Sequence, residues 1–472
     1  MTFNVSEAER LRAGFKLAGQ PVAYTDTFRY LGNWISASMG LNVASQQAAS
    51  LAGKVWEEKQ KSRVRATYAT FEMVQAAPQL GMTARRQVLS SALSAGMYGV
   101  GVMTCRPWEW LQQQQNDMYM RVLDLPRRMQ GSFPRTVLWG ELGYWPLGVR
   151  RDYELVRVWA AVLRQRSEQA GAYGLFQDLV SLAEQQVPDM DPRKRGNYMT
   201  HLERRWRYTW PMQVKAALMR LGLEGRWKQG LPPGQTFKEY AGPRAAALAN
   251  QVWVEGMMAT RMVKRHYLRL VSSERIVNHG AVLKPRDYLQ HRNKLFRIIM
   301  LVLRAGTSVL RDRLDFMGQE VEYADRICLM PGCASADTET ARHFLMECPY
   351  WTQHRLKFEL SVVDNGALSK QVKEHLGRMA DEPERWYRMM MCCDLEVPDA
   401  WADVYGQTLS ELKLVITRSK QGDADARLKV DTARRVLRDK QIILALLSKA
   451  MVPWYGARLK LAGKSLQRVQ EW

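Results

Sequence analysis

Apolar positions along most of this chain recur at helical spacing, and only a short N-terminal stretch alternates with a period of two. Residues 1–12 read as helical, with Glu7, Glu9, Arg10 and Arg12 as charges. Phe15-Lys16-Leu17 and Val22-Ala23-Tyr24 then alternate on either side of Gly19-Gln20-Pro21, and Phe28, Tyr30, Leu31 and Gly32 follow with Trp34 and Ile35. Alternation across a Gly/Pro break predicts a β-hairpin. Beyond it, helices are predicted over 42–77, 83–103 and 108–123. Thr83 is the expected N-terminal cap of the second. Trp110, Leu111, Met118, Met120, Val122 and Leu123 are the apolar positions of the third. Pro126 ends it, because proline lacks the amide hydrogen the next turn needs. A further helix is predicted over 150–169, with Val156, Trp159, Ala160 and Leu163 on one face. Residues 170–310 stay helical between loops at 189–197 and 230–234, both rich in Pro, Gly and charge. Helical spacing resumes after residue 348, and 418–472 form a basic, partly apolar tail. The expected fold is mainly α.

Composition is that of a globular protein, but the formal net charge of +22 is not average. Such a surplus implies a polyanionic partner, either nucleic acid or an anionic membrane. Residues 87–105 carry no charge, yet they are rich in Ser and Gly, which favours a buried helix over a membrane span. No charged and then apolar leader opens the chain, so secretion is not expected. Cys105 stands alone and Cys392-Cys393 are adjacent, an arrangement that suits a reducing compartment. RNA or DNA is therefore the expected partner and a membrane is not. The expected location is intracellular, nuclear or cytoplasmic. Two clusters interleave cations with aromatic rings: Arg204, Arg205, Trp206 and Arg207, then Arg261, Lys264, Arg265 and Arg269 around Tyr267. This pattern suits a phosphate track with stacking at intervals. Arg127 and Arg128 are candidate phosphate contacts as well.

Candidate metal chemistry is concentrated in 21 residues, where Cys328, Cys333, His343 and Cys348 have the spacing C-x4-C-x9-H-x4-C. Zinc takes four tetrahedral N and S ligands in structural sites, and such gaps bring ligands together in pairs. Pro331 and Gly332 supply turn chemistry for the first pair. Zn²⁺ is the expected cofactor.

The segment Thr338 to Pro349, followed by Arg355, resembles the zinc-binding segment behind the reverse transcriptase of non-LTR (LINE-type) retrotransposons. In that family the first pair is usually closer, C-x2-C. The hairpin that runs into Tyr30-Leu31-Gly32 resembles the primer grip at the end of the palm, which would place Phe28, Tyr30, Leu31 and Gly32 there. The three helices that follow resemble the thumb. Tyr98-Gly99 and Leu123-Asp124-Leu125-Pro126 match its "YG" and "GLP" positions, with Asp124 in place of glycine. Glu141, Leu142, Gly143, Pro146 and Leu147 match the family's E-L-G-x-x-P-L segment in spacing. The resemblance implies palm end and primer grip over 1–40, a helical thumb over 41–135 and a helical basic linker over 136–310. It implies a zinc-binding segment over 311–358 and a helical basic region over 359–472.

The resembled enzymes hold two metal ions on paired aspartates. No Asp-Asp pair occurs in this sequence, and only fourteen residues precede Phe15. The chain is therefore expected to lack the catalytic palm and to have no polymerase activity alone. It would hold template–primer or target nucleic acid, or serve a separate palm-containing chain. Two alternatives stay open. One is a restriction-like nuclease on Asp399, Glu411 and Lys413, whose surroundings repeat at helical rather than strand spacing. The other is a non-catalytic ribonucleoprotein scaffold.

Overall fold

The fold is taken from a computed structural model. It describes residues 80–97, 109–125, 133–165, 210–227, 234–259, 285–307, 338–392 and 417–461, with shorter pieces between 16 and 72 and around 231, 263–272, 283 and 327–333. The described residues are mostly helical, in agreement with a mainly α fold. They divide into two compact units, each assembled from separated stretches. The first comprises Met1–Met118 and Trp145–Val252, the second Tyr119–Tyr144 and Trp253–Trp472.

In the first unit, β1 (Lys16–Leu17) pairs antiparallel with β2 (Gln20–Pro21), and β3 (Thr27–Tyr30) with β4 (Asn33–Ser36). Gln20 and Pro21, expected within the break, are thus the second strand of this ladder. Val22, Ala23 and Tyr24, the expected second arm, lie outside the described residues. Phe28 and Tyr30 are in β3, whereas Leu31 and Gly32 are outside the described residues. Helix α1 spans Met82–Gly96, so Thr83 lies within its first turn rather than at the cap. Helix α2 spans Glu109–Val122.

After the short α3 (Arg135–Leu142), the long α4 (Leu147–Gln165) packs on α5 (Trp210–Arg220). Of the apolar face read from the sequence, Val156, Trp159 and Ala160 are buried and Leu163 is half-buried, and Leu155 joins the buried side. A fully buried leucine or valine such as Leu155 or Val156 contributes about 1.5–3 kcal/mol. The Asp152 carboxylate accepts two hydrogen bonds from Arg220, at 2.6 and 2.8 Å. Nearly half of the Arg220 side chain remains in water, so this pair sets the register of the two helices more than it stabilises them. Trp159 stacks on Trp227, with ring centroids 6.3 Å apart.

The second unit is built around α7 (Lys294–Arg304), which is buried on every side from Ile298 to Arg304. A helix that is apolar all round belongs in a core. The Asn293 side chain caps it by accepting from the Phe296 amide at 3.2 Å. Such a cap is worth about 1 kcal/mol. Of α6 (Phe237–Ala259), which precedes it in the chain, only Trp253–Ala259 belong to this unit, and α8 (Thr352–Val363), α9 (Lys370–Ala380) and α10 (Pro383–Met390) follow. The last helix, α11 (Ala424–Leu461), packs against both α7 and α8.

Two backbone positions near α3 explain local sequence choices. Asp124 has φ 59° and closes the end of α2, with its amide donating to Arg121 O at 3.0 Å and that of Leu125 to Met120 O at 2.8 Å. This left-handed region favours glycine, which the resembled pattern has here, and aspartate is among the side chains that tolerate it. The ion pair from Asp124 to Arg297, at 2.6 Å, gives the carboxylate a partner. Gly140 lies within α3, and a Cβ there would overlap the Tyr267 hydroxyl and the Trp253 ring. Trp253 is held in place by its Nε1–H bond to Thr136 O, 2.8 Å. We expect Gly140→Ala to destabilise the second unit by about 1–3 kcal/mol through overpacking, despite alanine's better helix propensity. Urea denaturation would measure this, and a variant as stable as the parent would refute the close approach.

Candidate metal centre

The first ligand pair is held by a tight turn. Cys333 N donates to Met330 O at 3.0 Å, and Gly332 takes φ 74°. A side chain at position 332 would be strained, so Pro331-Gly332 does supply the turn that the spacing called for. An isolated antiparallel bridge between Ile327 and Thr338 ties the two arms of the segment together.

The second pair needs a different device. Residues five apart on an α-helix point about 140° from each other and cannot share an ion. Here His343–Glu347 form a π-helical turn, and Cys348 N donates to His343 O at 2.8 Å. That wider ring brings position 348 back beneath position 343. The Thr340 hydroxyl accepts from the His343 amide at 3.0 Å and fixes the start of the turn.

The four ligand atoms all lie within 4.8 Å of one another. Cys328 Sγ and Cys348 Sγ are 3.8 Å apart, and Cys333 Sγ lies 3.5 Å from His343 Nε2. A tetrahedral ion with bonds of about 2.3 Å to sulfur and 2.0–2.1 Å to nitrogen places two sulfurs about 3.8 Å apart and sulfur and nitrogen about 3.6 Å apart. These residues therefore fit a metal ion such as zinc. Cys328, His343 and Cys348 are buried, and Cys333 is half-buried. With four protein ligands the set is closed, which suits a structural ion rather than a catalytic one.

Surrounding groups support the same assignment. With Nε2 turned to the ligands, His343 Nδ1 faces the Glu347 carboxylate at 3.8 Å, and Arg342 holds Glu347 at 2.7 Å. At that distance Nδ1 makes no hydrogen bond, so Glu347 is a carboxylate near the imidazole and does not fix its orientation. Arg355 donates to Cys348 O at 2.9 Å. Burial pushes the Cys328 thiol up to about 12, partly offset by a hydrogen bond from the Met330 backbone. Burial raises Cys348 as well. A bound cation reverses this and deprotonates its thiol ligands.

The segment is fastened to α11. Glu339, fully buried, takes a bidentate pair from Arg458 at 2.5 and 2.6 Å. Phe344 packs on Trp454 and Tyr455, and Trp351 on Trp454, with centroids 5.2 to 6.3 Å apart.

A second buried polar cluster lies in the same unit, and sequence reasoning did not find it. The Glu141 carboxylate accepts from the Tyr267 and Tyr288 hydroxyls at 2.7 and 2.6 Å and from Arg304 Nε at 3.0 Å, with Arg286 Nε 4.0 Å away. Burial opposes ionisation of Glu141, but the two guanidinium groups and two hydroxyls outweigh it and hold its pKa below the ordinary value. Arg304 also donates to Met391 O at 2.6 Å. Tyr267, expected as a stacking platform beside the second basic cluster, is instead fully buried here. The only sequence signal was Glu141 itself, following the apolar run Val137-Leu138-Trp139.

The other expected contacts are not among the described residues: Arg127, Arg128, Arg204, Arg205, Trp206, Arg207, Arg261, Lys264 and Arg265. Asp399, Glu411 and Lys413 are outside them too. Arg269 opens a short helical turn, Arg269–Ser272. No family model, no curated protein and no solved structure matches the chain.

Proposed function

We propose that this protein binds nucleic acid, with zinc as a structural ion in the Cys328–Cys333–His343–Cys348 centre. The observation that carries the reading is a Cys3His set whose four ligand atoms lie within 4.8 Å of one another, two pairs of them at tetrahedral separations, in a chain of net charge +22. A structural ion needs all four protein ligands, and a polycation needs a polyanion. The motif resemblance favours the same role, that of the C-terminal part of a LINE-type reverse transcriptase holding template–primer or target nucleic acid. When bound, zinc supplies rigidity and charge neutralisation of the thiolates. Arg355, beside Cys348, offsets the surplus negative charge of three thiolates on a divalent ion. Glu339 holds Arg458, and thereby α11, against the metal segment.

The test is fluorescence anisotropy with labelled RNA, single-stranded DNA and a primer–template duplex at two salt concentrations, with and without a zinc chelator. Expected is binding that weakens steeply with salt, as counterion release requires, and that the chelator reduces. No binding even at low salt would sink the proposal and leave the scaffold reading in its place.

A further inference from the structure

Helix α11 is held by one face and shows another. Ile443, Leu447, Trp454 and Arg458 are buried and lie within roughly 30° of one line along the helix at 100° per residue. Diametrically opposite runs a row of exposed cations: Arg427, Arg434, Arg438 and Lys449. On the same count they fall within roughly 40° of a common line and span about 33 Å. The side chains of Arg434 and Arg438 are 76% and 62% exposed. One acidic side chain, Asp431, shares the row and pairs with Arg434 at 3.2 Å. Asp439, the next acid, is buried on the inner side, where it accepts from Ser369 and lies 3.9 Å from Arg438, whose side chain stays largely in water.

We infer that this row is a docking surface for the phosphate backbone of a nucleic-acid duplex. Its length matches one turn of B-form DNA, about 34 Å. Three of its four cations are arginines, whose planar forks fit phosphate oxygens. An anionic membrane fits less well, because a surface helix binds lipid with an apolar face beside its cations. The exposed leucines here, Leu428 and Leu437, lie on opposite flanks of the row, about 180° apart. One window of α11 is apolar enough to cross a bilayer, but 56% of it is buried within the protein.

The inference rests on the proposed nucleic-acid binding and deepens it by naming the surface. The test uses the full chain and a variant carrying Arg427→Gln, Arg434→Gln, Arg438→Gln and Lys449→Gln. Affinity for a labelled mixed-sequence DNA duplex is measured across salt concentrations. Each phosphate contact contributes about 0.9 to the slope of log affinity against log salt, so the variant's slope should be shallower by about 3–4. A companion variant with the three arginines changed to lysine should keep the slope. If it loses as much as the glutamine variant, the effect is not charge and the inference falls. If both chains bind the duplex with the same slope, nucleic-acid binding stands and this surface is wrong. If the parent binds no duplex at all, the broader reading fails with it. Vesicles of phosphatidylcholine and phosphatidylserine form the last arm. Vesicle binding lost in the glutamine variant, with duplex binding unchanged, would assign the row to a membrane surface instead.

Discussion

Cys348→Ser is expected to abolish tight zinc binding and to unfold the metal segment together with its seat on α11. Cys348 is the ligand with the most structural work around it: its amide closes the π-turn, and its carbonyl accepts from Arg355. Structural zinc contributes about 10–16 kcal/mol of apparent binding free energy in small peptides at neutral pH. That exceeds the whole stability of many domains, about 5–15 kcal/mol. Phe344 and Trp351 lie on either side of Cys348 and fill the contact with Trp454. Loss of the ion should therefore expose tryptophan and shift its fluorescence to the red. The same shift should follow chelator addition to the parent and reverse when zinc is returned. Binding should release protons, since burial holds the Cys328 thiol at about 12 until a cation arrives. Affinity should accordingly fall as pH falls, because protons compete for the same sulfurs. Competition against a chromogenic chelator would measure this. A Cys348→Ser protein that holds zinc as tightly as the parent would exclude the four-ligand centre.

The second large effect is expected at Glu141. Replacing it with glutamine removes a carboxylate that lies 3.0 Å from Arg304 and 4.0 Å from Arg286, while both guanidinium groups remain buried. A buried ion pair is not in itself a strong source of stability, but breaking one leaves an uncompensated charge and costs about 3–5 kcal/mol. We expect a loss of that size in urea unfolding of the second unit, with little change in the denaturant slope. A loss under about 1 kcal/mol would mean that the cluster is not electrostatically tight. The pH dependence has a definite sign. A carboxyl whose pKa is lowered by folding contributes stability that is fully present above its unfolded value, here 4.5. That contribution is lost as pH falls through the lower folded value. The parent should lose stability on acidification in this range more steeply than Glu141→Gln.

Much of the local structure was legible in the sequence. Period-3.6 runs located α1, α2 and α4 to within a few residues at most ends. The metal ligands were legible for a related reason. Each pair is joined by only four residues, so its geometry is set by a short turn, and Gly332 marked one such turn directly. The π-turn of the second pair was not legible, because residue spacing does not reveal whether a turn closes over four residues or five. The strand pairs were less legible: alternation marks a strand but does not choose between neighbouring registers.

What the sequence by itself determined is therefore local: a mainly helical chain, strongly basic, with a Cys3His group grouped in one short segment. Only the tertiary structure decided that Glu141 meets Tyr267, Tyr288 and Arg304, which lie 126, 147 and 163 positions away. It alone paired Glu339 with Arg458, 119 positions on, and turned Tyr267 from an expected surface ring into a buried donor. It also decided which side of α11 faces outward and so collected Arg427, Arg434, Arg438 and Lys449 on one exposed line. The physical reason is the range of the forces involved. Turn preference and helical period act over a few residues and leave their mark in composition. The partner of a buried charge is settled only when distant segments close on one another and water is excluded, and nothing in the neighbouring residues records that choice.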